Sequence, residues 1–467
     1  MRYLSTRGHS PLISFADMLL AGLAPDGGLY LPEAWPRFSP LEIANFKGRP
    51  YGEVAEIVLG ELIGDSFSRE ELKADIAAAY AGFSDPRIAP LSEIGPDLYL
   101  LELFHGPTLA FKDVALQILG RLFARALKRK GGRATVLAAT SGDTGSAAIA
   151  ALGGLENIEV FVLHPKGRVS EVQRRQMTTT AFTNVHNIAI EGSFDDAQAI
   201  VKDLFAETAF AKAVNLTAVN SINFARIAAQ AVYYFTAAAE LAASGFDVPP
   251  VFVVPTGNFG DVFAGEAAMR MGLPVDTLLV ATNANDIMAR ALNDGVYEAG
   301  KAEPTLSPSM DIQVASNFER ALFEACGRDA KFIRREMALF ASTKRLVLPP
   351  DVRKALGERY AAARCDDAET LATIARFYKE TGRLIDPHTA VALAAAYNFK
   401  GCEKVPVVVL STAHPAKFPV PVAEATGQIP ELPPRLKEAL AGEEKCHLLG
   451  AEKALVRGFI EAKLRPS

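Results

Sequence analysis

The sequence predicts an α/β protein whose parallel sheets are flanked by helices, because one strand, loop and helix order occurs twice. In the first unit, the apolar run ATVLAAT precedes the glycine loop SGDTGS, a helical segment and a second apolar run, IEVFVLHP. In the second unit, VPPVFVVP precedes the loop TGNFGD, a helical segment and the run TLLVATN. A strand, a crossover helix and a further strand form the unit from which parallel sheets are built.

Spacing and capping signals predict the other elements. Ser14, followed three residues later by Asp17, predicts a helix start in ISFADMLL. The apolar spacing in DVALQILGRLFARALKRKGG predicts a helix that ends at Gly131. VHNIAIEG and VPVVVLS predict strands, and SFDDAQAIVKDLFAE predicts a helix capped by Ser193. The segment before the first unit otherwise predicts helices and loops, and about 318–400 predicts charged helices.

Composition limits the classes of function. The chain has 467 residues, of which 49% are hydrophobic and 22% charged, and its net charge of −5 gives no reason to expect a nucleic-acid partner. The start of the chain lacks a signal-peptide pattern, and the most apolar long segment is interrupted by polar residues, so no membrane segment is expected. The 4 cysteines and 7 histidines show no paired or metal-ligand spacing. We therefore expect a cytoplasmic protein without a metal site.

Two glycine loops are candidate ligand sites, because ligands of open parallel sheets bind beyond the carboxyl ends of the strands. The first loop, from Thr140 to Gly145, offers hydroxyls and backbone N–H groups that suit a carboxylate or a phosphate. The second loop, Gly257–Asp261, allows the backbone to approach a phosphate closely. A single loop of this kind is more often only a tight turn, but two on one sheet favour a ligand site.

Lys112 follows the apolar residues LAF and begins a helical segment. Most lysines in such positions are simply solvated. The alternative is an amine that burial and a helix N-terminus keep partly neutral, which can form a Schiff base. With two anion loops, such a lysine fits pyridoxal 5'-phosphate, whose aldehyde and phosphate need different partners. Ser411 or Thr412 offers a hydroxyl to the pyridine nitrogen, although a helix cap is the simpler interpretation.

The segment NSINFARI is a candidate second phosphate site. Asn220, Ser221 and Arg226 combine an amide, a hydroxyl and a guanidinium, and arginine is the preferred residue for bidentate phosphate binding. The simpler interpretation is a capped helix with an exposed arginine. Because the cofactor carries one phosphate, a second site would bind the phosphate of a substrate.

Seven motifs, taken in their order, resemble those of threonine synthases of the longer bacterial and fungal type: FHGPTLAFKD, ATSGDTGSAA, NSINFARI, PTGNFGD, SNFER, DPHTAV and TAHPAKF. The opening STRGHSPLISF and the later DGGLYLPE resemble the N-terminal domain of that family. The resemblance implies a fold type II pyridoxal-phosphate enzyme, similar to the tryptophan synthase β-subunit. It implies an N-terminal domain over 1–95, a catalytic region of two α/β lobes over 96–430 with a helical insertion at about 327–385, and a C-terminal helical extension over 431–467.

The same resemblance implies a reaction and a set of residues. O-phospho-L-homoserine and water would give L-threonine and phosphate by γ-elimination and β-addition of water, the last step of threonine biosynthesis. Lys112 would form the Schiff base and act as the catalytic base. The implied cofactor-binding residues are Lys112, Gly257, Asn258, Phe259, Gly260, Asp261 and Thr412, and the implied substrate-binding residues are Thr140, Ser141, Asp143, Thr144, Asn220, Ser221 and Arg226.

One position departs from the wider pattern, because many fold type II enzymes carry asparagine where this chain has Asp143. An ionised carboxylate cannot donate a hydrogen bond to the hydroxyl of the cofactor ring. The sequence therefore leaves the role of Asp143 open.

Two other classes of function remain open from the sequence. Another fold type II enzyme, such as a threonine dehydratase or a cysteine synthase-like β-replacement enzyme, needs no second phosphate site, so Arg226 and its neighbours disfavour it. A non-catalytic threonine synthase-like binding protein is disfavoured by the complete set of Lys112, both loops and Thr412. The resemblance favours a monomer or a weak homodimer.

Overall fold

The computed structural model describes residues 1–140, 142–218, 221–402 and 405–464. Ser141 and Asn220 lie outside the described residues. The helices are α1 (Phe15–Ala21), α2 (Pro40–Ala44), α3 (Tyr51–Ile63), α4 (Arg69–Tyr80), α5 (Lys112–Lys130), α6 (Asp143–Leu152), α7 (Glu171–Thr178), α8 (Phe194–Ala206), α9 (Thr208–Ala213), α10 (Phe224–Ala243), α11 (Gly260–Arg270), α12 (Ile287–Asp294), α13 (Phe318–Ala325), α14 (Ala330–Thr343), α15 (Pro350–Gly357), α16 (Asp367–Thr381), α17 (Pro387–Asn398), α18 (Pro419–Thr426), α19 (Pro434–Ala441) and α20 (Lys453–Lys463).

The strands are β1 (Arg2–Ser5), β2 (Ile13–Ser14), β3 (Tyr30–Pro32), β4 (Leu91–Gly95), β5 (Leu98–Glu102), β6 (Ala134–Ala139), β7 (Ile158–Pro165), β8 (Val185–Glu191), β9 (Leu216–Thr217), β10 (Val251–Pro255), β11 (Thr277–Thr282), β12 (Val296–Glu298), β13 (Arg345–Val347), β14 (Tyr360–Arg364), β15 (Val407–Ser411) and β16 (His447–Gly450). Two larger sheets organise them. One has the order β14-β11-β10-β15-β5-β4 and is parallel except for β4, and the other has the order β16-β8-β7-β6-β9 and is parallel throughout. The predicted α/β class with parallel-sheet lobes is confirmed.

Helices cover both faces of the larger sheet. In β10, Phe252 and Val254 belong to the core that contains the buried residues of α10 and α11. Val251 and Val253 belong to a second core with the buried residues of α17. Because alternate side chains of a strand point to opposite faces, a strand buried on both faces must be apolar throughout. This burial explains the uninterrupted run VFVV.

The N-terminal segment contains strands that the sequence pattern did not predict. β1 pairs antiparallel with both β2 and β3 in a small sheet, and β4 and β5 form one edge of the larger sheet.

The predicted helix start at Ser14 is confirmed, because its side chain accepts a hydrogen bond from the backbone N–H of Asp17 at 3.1 Å. The predicted cap at Ser193 is confirmed in the same way for α8.

Two further segments contain strands where the sequence predicted helix. β14 has the sequence YAAAR, and alanine has a low preference for strands. It forms because it pairs in parallel with β11 at the edge of the larger sheet. Likewise β16, in the expected C-terminal helical extension, pairs with β8. In both segments, pairing with an existing sheet outweighs local propensity.

The loops after β6, β10 and β15 and the start of α5 line one cavity. This position agrees with the rule that ligands bind beyond the carboxyl ends of parallel strands. Within the part of the chain that the structure describes, no helix is both long and apolar enough to cross a membrane.

Candidate active site

A short antiparallel contact fixes the position of Lys112. Ala110 and Ala413 form an isolated bridge, and the backbone N–H of Phe111 donates to the carbonyl oxygen of Thr412 at 2.8 Å. Leu109, just before the bridge, has a φ of +62°, an uncommon backbone conformation for a leucine. The bridge therefore holds the first residue of α5 beside the segment that follows β15.

The amine of Lys112 is buried in the cavity wall. The residue is 9% exposed, and its Nζ lies 3.5 Å from Oδ2 of Asp143 and 5.3 Å from the ring centre of Phe111. Burial lowers the pKa of Lys112, and the charge of Asp143 opposes that effect. A buried lysine with a lowered pKa is a candidate nucleophile and base.

The loop Gly257–Asp261 brings backbone N–H groups to the cavity at the start of α11. Phe259 has a φ of +62°, and its side chain is buried against the rings of Phe318 and Tyr360. A Cβ atom on Gly257 would lie 3.0 Å from the carbonyl oxygen of Ser309, which leaves no room for a larger residue without movement. The buried Phe259 thus anchors a loop whose backbone faces the cavity, an arrangement typical of anion sites.

Asp261 lines the cavity, but its carboxylate is engaged on the far side of the loop. Its Oδ1 accepts hydrogen bonds from the hydroxyl of Tyr233 and, at 3.2 Å, from that of Tyr234. Burial raises the pKa of Asp261 to about 7. The side chain of Asp261 therefore ties the loop to α10, and its backbone N–H remains to face the cavity.

Arg226 is a buried cation that lines the same cavity. It is 4% exposed, and its Nε and Nη1 have no hydrogen-bond partner among the described residues. Burial lowers the pKa of Arg226 to about 10. Asp261 and Tyr233 attract this charge, but leaving two buried guanidinium nitrogens without hydrogen bonds is costly, so this geometry indicates that a ligand supplies the acceptors.

Ser221 and the second glycine loop are joined by a chain of polar contacts. The Oγ atoms of Ser221 and Ser316 lie 3.2 Å apart, and Ser316 donates to Oδ1 of Asn258 at 3.1 Å. The amide of Asn317 donates to the backbone carbonyls of Ser221 at 3.1 Å and of Asn258 at 3.0 Å. The two predicted phosphate-binding segments are therefore held together by side chains of the SNFER motif.

The first glycine loop divides into residues that face the cavity and one that does not. Asp143 and Thr144 line the cavity. Thr140 instead uses its Oγ1 to accept hydrogen bonds from the backbone N–H groups of Gly142 at 3.0 Å and Gly145 at 2.9 Å. Thr140 thus shapes the loop rather than lining the cavity.

Of the two hydroxyl residues at the end of β15, Ser411 is the last residue of the strand and Thr412, the next residue, lines the cavity. Ser411 is turned towards α17, where its Oγ lies 3.1 Å from Oγ1 of Thr389. The residue pattern left the choice between these two hydroxyls open and the family resemblance implied Thr412, which the alternation of side chains along the chain places on the cavity.

His388 holds a further part of the cavity wall. Its Nδ1 lies 2.8 Å from Oδ1 of Asp386, and its Nε2 accepts a hydrogen bond from the backbone N–H of Ser309 at 3.2 Å. These partners assign the proton to Nδ1. The hydroxyl of Ser309 in turn donates to Asp143 at 3.2 Å, so His388 positions a segment that contacts the first glycine loop.

Several residues of the site were missed by sequence reasoning: Gln230, Ser309, Asn317, His388 and Lys417. Three of them belong to the motifs SNFER, DPHTAV and TAHPAKF, which carried the family resemblance but no individual role. The other two carry no local signal, because a glutamine in a helix and a serine in a loop are ordinary.

Comparison with known proteins agrees with this site. The family model for pyridoxal-phosphate dependent enzymes matches residues 86–412, that for the threonine synthase N terminus matches 2–80, and that for the threonine synthase C-terminal region matches 389–460. Threonine synthase of Pseudomonas aeruginosa is 48% identical over 98% of this chain and 98% of its own length.

Two crystal structures show the same fold. The pyridoxal-phosphate-bound threonine synthase from Brucella melitensis is 46% identical, has a TM-score of 0.97 and is covered over 100% of both chains. Threonine synthase from yeast is 37% identical, has a TM-score of 0.94, and the match covers 99% of this chain and 98% of that one. The chain therefore belongs to the threonine synthase family of fold type II, pyridoxal-phosphate-dependent enzymes.

Proposed function

We propose that this chain converts O-phospho-L-homoserine and water into L-threonine and phosphate, the last step of threonine biosynthesis. The observation that carries the substrate is Arg226, a buried residue on the wall of the cavity that contains Lys112, whose Nε and Nη1 have no hydrogen-bond partner among the described residues. Family membership supports the reaction, since relatives named threonine synthase align over nearly the whole chain.

The cavity fits the cofactor of the family. The Gly257–Asp261 loop offers backbone N–H groups, and a side chain at Gly257 would press on the carbonyl oxygen of Ser309, as expected of a close-fitting phosphate cradle. Lys112 would bind the aldehyde carbon, and the hydroxyl of Thr412 would face the ring nitrogen. When bound, pyridoxal phosphate supplies a ring that accepts the electrons released as C–H bonds at Cα and Cβ of an amino acid break.

Side chains of the protein carry out the proton transfers and bind the substrate. Lys112, once its amine is free, removes the proton from Cα of the substrate and returns it, which requires a neutral amine near neutral pH. Burial of this amine supports that role, since it lowers the pKa of Lys112.

The substrate phosphate would bind to Arg226, Ser221, Thr144 and Asn220, and the substrate carboxylate would bind at the first glycine loop. For the carboxylate we assign Thr140, Ser141 and Asp143, with Thr140 acting by fixing the loop backbone and Asp143 acting through its backbone N–H, since its ionised side chain would repel a carboxylate. A bidentate guanidinium contact holds a phosphate more firmly than a single ammonium does, because it forms two parallel hydrogen bonds. The leaving group is thereby held in a fixed orientation relative to Cγ.

A second fold type II activity, such as a dehydratase or a β-replacement reaction, leaves Arg226 without a use. Those reactions release or exchange groups that need no second cationic site. The buried, unpartnered guanidinium therefore favours a phosphorylated substrate.

We infer that the enzyme acts in the cytoplasm as a monomer or a weak homodimer. Cys326, Cys365 and Cys446 are free thiols in the structure, which agrees with a reducing compartment.

The test is a paired assay of the purified protein loaded with pyridoxal phosphate. Inorganic phosphate release from O-phospho-L-homoserine and the appearance of L-threonine are measured in the same samples, with L-serine and L-threonine as control substrates. Equal amounts of phosphate and threonine are expected. A change in the absorbance of the bound cofactor with another amino acid, without phosphate release from O-phospho-L-homoserine, would retain the cofactor and overturn the substrate.

A further inference from the structure

Lys417 lies behind the cavity and contacts Asp143 more closely than Lys112 does. Its side chain is fully buried, and its Nζ lies 2.7 Å from Oδ1 of Asp143 and donates to the carbonyl oxygen of Thr108 at 2.8 Å. The Nζ of Lys112 lies 3.5 Å from Oδ2 of the same carboxylate. Because Lys417 is absent from the described cavity lining, it acts on the cavity from behind Asp143, through that carboxylate and through its own charge.

Asp143 is held in one orientation by its other neighbours. The amide of Gln173 donates to Oδ1 at 2.9 Å, and the hydroxyl of Ser309 donates to Oδ2 at 3.2 Å. Burial alone would raise the pKa of Asp143, but the charges of Lys417 and Lys112 hold it well below its usual value. The carboxylate is therefore ionised and fixed at the start of α6.

The position of Asp143 between Lys112 and Lys417 affects the protonation state of Lys112. If Asp143 were paired with Lys112 alone, each buried charge would stabilise the other and the lysine would remain an ammonium ion. An ammonium ion neither attacks an aldehyde nor accepts a proton. With Lys417 as the closer partner, the negative charge of Asp143 is already balanced.

We propose that Lys417 is a positioning residue for the reaction proposed above: it neutralises Asp143 from behind, so that Asp143 orients Lys112 without fixing it as an ammonium ion. This assignment also gives Asp143 a role, which the sequence left open. The carboxylate serves as an oriented acceptor between two amines, and an asparagine in its place would not be paired with Lys417.

The other charges around Lys112 agree with this assignment. Arg226 on α10 is a second cation near the amine, and His388 on α17 and Asp261 on α11 line the same cavity. Burial is the main cause of the lowered pKa of Lys112, Asp143 acts against it, and Lys417 and Arg226 act with it. Removing Lys417 therefore leaves the amine with a higher affinity for its proton.

The test is a pH titration of the absorbance of the loaded enzyme, which follows protonation of the Lys112 nitrogen bound to the cofactor. Lys417→Met keeps the length of the side chain and removes its charge, and we expect the midpoint to rise by about one pH unit, a tenfold gain in proton affinity. Lys417→Arg keeps the charge and should restore a midpoint close to that of the unchanged enzyme. Lys437→Met is the matched control, because this lysine is 57% exposed and, among the described residues, its ion pair is with the exposed Glu431 at 3.7 Å.

Asp143→Asn provides the opposing perturbation. It removes the negative charge beside Lys112 while keeping Lys417, so the midpoint should fall. Opposite shifts in the two variants support the proposal. Shifts in the same direction, or no shift in either, would mean that Lys417 only supports the fold and would overturn it.

Two features keep the outcome interpretable. If Lys417→Met does not fold, the fall expected for Asp143→Asn and the retained midpoint of Lys417→Arg still decide the question. The titration follows the cofactor and not the substrate, so it gives a result even if O-phospho-L-homoserine releases no phosphate. In the active enzyme, the loss of kcat/KM in Lys417→Met at neutral pH should also be recovered as the pH rises, which a packing defect would not produce.

Discussion

Replacing Arg226 with leucine should have opposite effects on catalysis and on stability. In the structure the guanidinium is 4% exposed and its Nε and Nη1 have no partner among the described residues. The free protein therefore carries a buried charge that Asp261 offsets only in part, and a bound phosphate would supply the hydrogen bonds that two of its nitrogens lack. Leucine removes the charge and leaves an apolar side chain in its place.

The magnitudes follow from the burial and the hydrogen bonds. Two hydrogen bonds to a charged group contribute about 1.5–3 kcal/mol each, so losing both should lower kcat/KM by roughly 10²- to 10⁴-fold. In the folded protein burial lowers the pKa of Arg226 from 12.5 to about 10. Because Arg226 stays charged at every pH below about 10, the cost of burying that charge, about 3 kcal/mol for this shift, applies in full at neutral pH. The unfolding free energy of the cofactor-free variant should therefore be equal to or higher than that of the unchanged protein.

The assay combines phosphate release from O-phospho-L-homoserine with urea unfolding of the cofactor-free protein. Arg226→Lys, which keeps a charge without the bidentate fork, should give an intermediate kcat/KM. Inorganic phosphate should raise the melting temperature of the unchanged protein more than that of Arg226→Leu. An unchanged kcat/KM would refute the phosphate site, and a large loss of stability in parallel with activity would show that Arg226 supports the fold instead.

Three other perturbations test the cofactor site and the fold. Lys112→Ala should retain a folded protein, lose turnover and lose the Schiff-base absorbance band, and full activity would exclude its catalytic role. Gly257→Ala places a Cβ atom 3.0 Å from the carbonyl oxygen of Ser309 and should weaken cofactor binding roughly tenfold in a titration, whereas Gly357→Ala, with open space around it, should not. For Glu102, burial alone would raise the pKa, but hydrogen bonds from His105 and Ser92 and the charge of Arg383 lower it to about 2 from 4.5. Its stabilising effect is present above pH 4.5 and is lost as the pH falls towards 2, so Glu102→Gln should cost about 2–3 kcal/mol in urea unfolding at pH 7 and much less at pH 2.

The site illustrates which features local sequence can predict. Lys112 and the Gly257–Asp261 loop carry local signals, namely a lysine at a helix start and glycines between a strand and a helix, and both lie on the cavity. Thr140 was expected to bind substrate directly, but its hydroxyl is used within its own loop. That contact depends on how the loop folds back, which residue types alone do not fix.

The strands at the sheet edges show the same limit. YAAAR in β14 has the composition of a helix, and only the exposed edge of β11 makes it a strand. The partners of Asp143 are also distant in sequence, since Lys417 and Gln173 reach it from other segments. Contacts of this kind have no periodicity along the chain.

The sequence by itself determined the α/β class, the order of strands and glycine loops, the candidate Schiff-base lysine and the family resemblance. These depend on short-range patterns of burial, capping and glycine placement, which a chain carries wherever it folds. Only the tertiary structure decided that Ser411 faces α17, that Nε and Nη1 of the buried Arg226 have no hydrogen-bond partner among the described residues, and that Lys417 stands behind Asp143. The physical reason is that burial and charge pairing arise between residues that the fold brings together from distant parts of the chain.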